Sequence, residues 1–211
     1  MDVYLVRHGE TDWNKTRRIQ GNVNIPLNEK GRAVALATAE AIRDLPFDLI
    51  FCSPLDRARE TAEILAAGCG REVIVDRRLR EIEFGEFEGA TWKEITTNPD
   101  YRAIWNFFED PANYVPERGA ESFESIMGRA QDFIDQEVLP REHTCDRMMI
   151  VAHGAFNRAF QACVRKADKA DFWGASRQPM KNCGMSILEV KDGAIKITEE
   201  GKIYYDPTLF E

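Results

Sequence analysis

The chain is 211 residues long and 44% hydrophobic, enough for one compact domain whose core needs neither disulfides nor a structural metal. Its 28 Lys and Arg against 36 Asp and Glu leave a formal net charge of −8, which excludes a polybasic footprint for nucleic acid or an anionic membrane surface. Any phosphate it binds has to be met locally, by a few converging cations.

No apolar stretch approaches the ~20 residues of a transmembrane helix, and the opening MDVYLVRHGE lacks the charged-then-apolar order of a signal peptide. The expected location is cytoplasmic. Five cysteines, odd in number and without C-x-x-C spacing, point to buried free thiols rather than a disulfide framework or a zinc cluster. Three histidines are too few for a His-rich metal site.

Val3 to Val6 is a short β-prone run that breaks at Arg7-His8-Gly9, as a buried strand ending in a loop would. Asn28 can cap a helix with Glu29 in its first turn, in which Ala33, Leu36, Ala37 and Ala41 recur at helical spacing. A second strand is predicted over Phe47 to Cys52, then a helix opened by Ser53-Pro54 in which Ala58, Ala62 and Leu65 repeat every three or four residues. Glu72 to Val75 reads as a third strand. After an acidic middle region, Arg147 to Ala152 reads as a buried strand running into His153-Gly154. Ser186 to Val190 and Ala194 to Thr198 flank Asp192-Gly193, a hairpin signal. With no repeat and no Pro/Gly/Ser-rich linker, residues 1–211 are expected to form a single domain. The alternation of strand and helix predicts a mostly parallel sheet covered on both faces.

Two of these strands end in His-Gly, and parallel strands would bring both imidazoles to one sheet edge. Arg57, in the first turn of the helix after Ser53-Pro54, can project toward that edge, and Glu81, in the loop-like segment from Leu79 to Gly85, can reach it. Such a set suits a phosphate ester. An unprotonated imidazole can attack phosphorus and form a phosphohistidine. Arg7 and Arg57 offer planar forks of donors to the phosphate oxygens. A doubly protonated His153 adds a third cation at a helix N-terminus, where free backbone N–H groups, starting with Gly154, also favour an anion. A carboxyl group with a raised pKa protonates the leaving alkoxide. Glu81 is the candidate, and Glu83, on the same face by alternation, is its rival. Arg59 and His143 read as surface residues.

The motifs LVRHGETDWN (5–14), IQGNVNIPLNEKG (19–31), SPLDRARETA (53–62), LREIEFGEFEG (79–89) and VAHG (151–154) resemble, in order, those of the histidine phosphatase superfamily, also called the phosphoglycerate mutase-like family. The resemblance spans nearly the whole chain. It implies a three-layer α/β/α sandwich with a mostly parallel central sheet, and neither metal nor organic cofactor. It also implies His8 as the phosphorylated nucleophile, Arg7, Arg57 and His153 as the rest of the phosphate pocket, Glu81 as the proton donor, and Asn14 and Gln20 as phosphate contacts. One position departs from the pattern: relatives often continue the last motif with a second Gly, and here Ala155 stands there, with a methyl group that could narrow the pocket or tilt the helix start.

The shared centre does not decide where the phosphoryl group goes after His8. In relatives the segment from Ala90 to Pro140 covers the site as a helical lid. Here it holds four basic against ten acidic residues, a balance of −6 expected to repel small polyanions. Its eight aromatics, from Trp92 to Phe133, either pack in the core or line an apolar approach. The expected activity is a phosphomonoesterase acting on small phosphorylated metabolites, of the broad-specificity type that includes alpha-ribazole phosphatase-like enzymes. A cofactor-dependent phosphoglycerate mutase is the alternative. A catalytically silent phosphate-binding module is a third reading, against which stands the presence of all five catalytic side chains. The expected partner is the small substrate itself, and the sequence does not fix an oligomeric state.

Overall fold

In a computed structural model of the chain, residues 1–175 and 180–210 are described. Strands β1 (Asp2–Arg7), β2 (Leu49–Cys52), β3 (Val73–Val75), β4 (Arg147–Ala152), β5 (Met185–Lys191) and β6 (Ala194–Lys202) form one sheet in the order β3-β2-β4-β1-β5-β6. The first four run parallel, and β5 and β6 add an antiparallel edge. The central strands are near-continuous apolar runs because both of their faces are covered. Val3, Leu5, Phe51, Met148 and Ile150 face one layer, which includes α6 (Phe123–Phe133) and α7 (Gly154–Arg165). Tyr4, Val6, Ile50, Cys52, Met149 and Val151 face the other, made by α2 (Glu29–Ala41) and α3 (Asp56–Ala66). The result is a three-layer α/β/α sandwich.

Asn28 caps α2 by accepting the Gly31 N–H at 2.7 Å. The buried face of that helix is Gly31, Val34, Ala35 and Thr38, continued by Ile42, and not the stripe through Ala33 and Ala37, whose Leu36 is 60% exposed. In an alanine-rich helix that stripe carries little apolar contrast, and the row Val34, Thr38, Ile42 sets the face instead. The Thr38 hydroxyl is turned back onto the Val34 carbonyl at 2.8 Å, so its burial costs no unpaired donor. Helix α3 starts at Asp56 rather than at Ser53-Pro54, while Ala58, Ala62 and Leu65 are buried as their spacing predicts. Asp192 and Gly193 both take positive φ, 53° and 72°, the two-residue turn that joins β5 to β6. All five cysteines are free; Cys52, Cys145 and Cys183 are buried, and Cys69 and Cys163 only half-buried. Among the described residues no helix is long and apolar enough to cross a membrane.

Between β3 and β4 the chain also carries α4 (Trp92–Thr97) and α5 (Arg102–Glu109). Phe107 of α5 is fully buried, with the rings of Phe84, Phe108, Tyr114, Phe123 and Trp173 at 4.9–5.2 Å. The parallel register of β1 and β4 pairs Arg7 with Ala152, so His8 and His153 leave the sheet side by side. From that point one chain crosses to β2 and the other runs through α7 to β5 on the opposite side. Strand ends that diverge in this way leave a crevice, the usual ligand site of open α/β sheets.

Candidate active site

His8 is 3% exposed and His153 fully buried, with ring centroids 5.1 Å apart. His8 Nδ1 lies 2.7 Å from the Gly9 carbonyl. A carbonyl only accepts, so Nδ1 carries the ring proton and Nε2 keeps a free lone pair. Burial, reinforced by the nearby Arg57 and Arg7 charges, holds the imidazole well below the usual histidine range, and it is neutral at pH 7. The Gly9 N–H donates to Thr61 Oγ1 at 3.0 Å, and the Thr61 hydroxyl donates to the Arg57 carbonyl at 2.6 Å. One helix, α3, therefore fixes the His8 turn and Arg57 in a common frame.

Arg57 is fully buried and does not make the surface ion pair with Asp56 or Glu60 that its neighbours would offer. Its Nη1 donates to the Val23 carbonyl at 2.8 Å and its Nη2 to the Gly21 carbonyl at 2.7 Å. Arg59, one turn face away, does pair with Asp56 at 3.0 Å. Burial pushes the Arg57 guanidinium down to about 10, opposed by Glu81 and Glu88. Gly21 has φ +53°, and a Cβ there would sit 1.9 Å from Glu88 Oε1, so this loop can wrap Arg57 only around a glycine. Arg7 donates through Nη1 to the Met180 carbonyl. The Nε of both arginines is buried with no partner among the described residues, which leaves each with a donor for an anion.

Asn14 and Gln20 are oriented by a residue the motif reading did not single out. Thr11, fully buried, caps the short helix α1 (Asp12–Lys15); its backbone N–H donates to Asn14 Oδ1 at 3.1 Å and its hydroxyl donates to Gln20 Oε1 at 3.0 Å. With both amide oxygens held on Thr11, the NH2 groups are the ends left to face the cavity that Asn14 and Gln20 line.

His153 differs from the doubly protonated state expected above. Burial, followed by Arg57, His8 and Arg7, holds it well below the usual range, so the ring is neutral in the ligand-free protein. Its Nε2 lies 2.7 Å from Ser53 Oγ. That oxygen also accepts the Leu55 N–H at 3.3 Å, and the other ring nitrogen, Nδ1, is buried without a partner among the described residues. His153 thus offers one N–H donor, and a bound phosphate dianion would supply the charge needed to protonate the ring fully.

Glu81 is 9% exposed and caps α7: Oε2 accepts the Ala155 N–H at 3.1 Å, while Oε1 accepts those of Phe156 at 3.0 Å and Ile82 at 2.9 Å. Arg129 clamps the segment, donating to the Arg80 carbonyl at 3.0 Å while paired with Glu121 at 2.8 Å. Glu83 does not share the face of Glu81: it is exposed and outside the cavity. The segment is an irregular turn after the short helix Arg77–Leu79, so strand alternation does not apply.

A cavity of about 720 Å³ opens onto this cluster; His153, fully buried beside His8, is not among its wall residues. Arg7, His8, Arg57, Glu81 and Gly154 lie in its walls beside Asn14 and Gln20, with Arg17 and Arg18 exposed among the remaining wall residues. Phe84, Trp92, Phe107, Phe108 and Trp173 form an aromatic side. Of the eight aromatics between 90 and 140 only three reach it, and Tyr114, Phe123 and Phe133 belong to the core. None of that segment's ten acids lines the cavity: Glu121 pairs with Arg129, and Glu137 with Arg78 and Arg141. The repulsion of polyanions expected from the −6 balance therefore has no acidic wall to act through. Ala155 lines the cavity, while α7 begins at Gly154 with its first amides satisfied. Among the described residues no group of three His, Cys, Asp or Glu is placed to hold a metal ion.

Solved structures share this architecture. Bacillus stearothermophilus YhfR matches with a TM-score of 0.85 and 34% identity over 96% of this chain and 97% of that one. The mycobacterial glucosyl-3-phosphoglycerate phosphatase, in complex with VO3, gives a TM-score of 0.78 and 29% identity over 95% and 98%. The probable phosphoglycerate mutase GpmB of Shigella boydii is 34% identical over 195 residues, 91% of this chain and 86% of its own length. Residues 3–201 match the model of the histidine phosphatase superfamily, branch 1, and with the two histidines, two arginines and capping carboxylate gathered at one crevice, the chain belongs to that family.

Proposed function

We propose that the chain is a phosphomonoesterase that hydrolyses small phosphorylated metabolites through a phosphohistidine on His8. The observation that carries this reading is the state of His8: neutral, with Nδ1 engaged and Nε2 free, beside two guanidinium Nε donors that have no other partner among the described residues. Nε2 attacks phosphorus and the ester P–O bond breaks. A proton on Glu81 passes to the leaving oxygen, and water then cleaves the P–N bond and returns His8 to its neutral form. Arg7, Arg57 and His153 hold the equatorial oxygens, with Asn14, Gln20 and the Gly154 N–H as further contacts. Residues 90–140 act as a helical lid within a single domain, presenting Trp92, Phe107 and Phe108 to the body of the substrate. The five free thiols fit a reducing cytoplasm.

Quenching turnover of an aryl phosphate in alkali tests this directly. A phosphohistidine stable to base and lost in acid is expected in the wild type and absent in His8→Ala. No adduct, or activity of His8→Ala above a trace, would overturn the assignment. Thorough chelation should leave the rate unchanged, because protein cations meet the phosphoryl charge.

Mutase activity is the second reading, favoured by Arg17 and Arg18 in the cavity wall, which could meet a carboxylate or a second phosphate. Initial rates with an aryl phosphate and with 3-phosphoglycerate separate the two. Efficient isomerisation of the latter with little phosphate release would promote the mutase.

A further inference from the structure

Where the chain leaves β1, from Arg7 to Gly9, its backbone polar groups are met one by one. The His8 N–H donates to the Ala152 carbonyl at 3.0 Å, and the Gly9 N–H to Thr61 Oγ1. On the other side, β5 and the turn before it serve the chain only as far as Arg7. The register pairs Met185 with Val6; the Gly184 carbonyl then accepts the Arg7 N–H at 3.0 Å, and the Cys183 N–H donates to the Arg7 carbonyl at 2.9 Å. At Cys183 the backbone takes φ +55°, and its N–H is left 3.4 Å from the next acceptor, the His8 carbonyl. A side chain closes that gap: Asn182 Nδ2 donates to the His8 carbonyl at 2.9 Å. Because a carbonyl only accepts, the amide is turned with its NH2 toward His8. Tyr205, beyond β6, donates its hydroxyl to the Asn182 carbonyl at 3.2 Å and braces the turn from outside.

We propose that Asn182 is a positioning residue for the nucleophile, resting on the phosphohistidine reading above. The peptide group between His8 and Gly9 has Asn182 on its carbonyl and Thr61 on its N–H, so it cannot rotate without losing a hydrogen bond. That peptide joins the imidazole to its own acceptor, the Gly9 carbonyl 2.7 Å from Nδ1. It also lies against the start of α2, since a Cβ at Gly9 would meet the Gly31 carbonyl at 2.9 Å. Holding the peptide therefore holds the ring, and with it the line from Nε2 through phosphorus to the leaving oxygen. A misplacement of about 1 Å in such an arrangement costs roughly 10²-fold in rate. Asn182 does not line the cavity of the phosphate site, and the same turn meets Arg7 through backbone groups that a new side chain at 182 leaves in place. Its effect passes through His8.

The test separates placing the nucleophile from holding the phosphate. Asn182→Leu, similar in size but without a donor, should slow the single-turnover release of aryl alcohol from an aryl phosphate at least tenfold, read by rapid quench. Inhibition by inorganic phosphate, which reports on Arg7, Arg57, Asn14 and Gln20, should stay within twofold of the wild type. Nitrogen NMR of isotopically labelled histidine, with the His8 signals assigned by their loss in His8→Ala, gives a readout independent of turnover. The ligand-free wild type should show one protonated and one unprotonated His8 nitrogen, and Asn182→Leu two signals drawn together as the tautomers mix. Should that variant fail to fold, Asn182→Ala takes its place with the same change in the spectra and a rate slowed at least threefold, since water can then reach the carbonyl. A single-turnover rate like that of the wild type overturns this inference alone, as do His8 signals that do not move. So does a rate that falls together with phosphate affinity, the mark of a general structural role. Absence of any phosphohistidine in the wild type overturns the proposed function and this inference with it.

Discussion

Ser53 Oγ stands 2.7 Å from His153 Nε2, both residues fully buried at the ends of the paired strands β2 and β4. This hydroxyl engages Nε2 and so leaves Nδ1 as the ring nitrogen free for another partner. Ser53→Ala removes that constraint and leaves a buried Nε2 unpaired. We expect kcat/KM to fall roughly tenfold, about 1.4 kcal/mol, with the stability change limited to about 1 kcal/mol. Steady-state kinetics alongside urea unfolding checks both.

The Thr11 hydroxyl performs the same service for Gln20. Thr11→Val keeps the shape and the backbone N–H that holds Asn14 but removes the hydroxyl donor, so Gln20 is free to turn its oxygen toward the anion. Inorganic phosphate should then inhibit at least tenfold less tightly, while Thr11→Ser remains within about threefold of wild type. Equal losses for Val and Ser would show that packing, not the hydroxyl, matters.

The roles of the two carboxylates are separable by leaving group. Glu81→Gln should slow alkyl phosphates, which need a proton on the departing oxygen, by about 10²-fold or more, and aryl phosphates with acidic alcohols far less. Glu83→Gln, on an exposed residue, should stay close to wild type with both. If Glu83→Gln alone showed the selectivity, the assignment would pass to it.

His8 and His153 both resist protonation in the folded state, whereas in the unfolded chain they take up protons below the usual histidine value of 6.5. The unfolded state therefore binds more protons on the acid side, and stability falls as pH drops below about 6.5. Above that value neither contributes. Each group can take away up to roughly 1.4 kcal/mol per pH unit, so the ligand-free protein should lose at most about 3 kcal/mol between pH 6.5 and 5.5. Urea midpoints across that interval measure the slope. His153→Asn should remove about half of it, and saturating phosphate should flatten it by favouring the charged rings.

The strands and the site were legible for different reasons. Val3 to Val6 and Arg147 to Ala152 are apolar on both faces, and a parallel sheet allows nothing else, so the placement of His8 beside His153 followed from strand ends alone. The face of α2 was not legible, because a helix of alanines offers no contrast and the choice fell to Val34 and Ile42. Glu81 and Glu83 could not be separated by alternation once the backbone between them turned. Thr11 and Ser53 act on other side chains, and Thr61 and Arg129 on backbone groups, far away in sequence for the most part. Three of them lie inside the quoted motifs, but nothing in a linear sequence says that a threonine hydroxyl will meet Gln20 nine residues away.

The carboxylate of Glu81 on the first amides of α7 also bears on how a catalytic cycle closes. The start of that helix is not bare in the ligand-free protein, since the Glu81 side chain already accepts the Ala155 and Phe156 N–H groups. An arriving phosphate joins a helix start that is already in its final shape, and departing product leaves the same carboxylate in place. Turnover is then a change of guest at a helix start whose second and third amides keep the same side-chain partner.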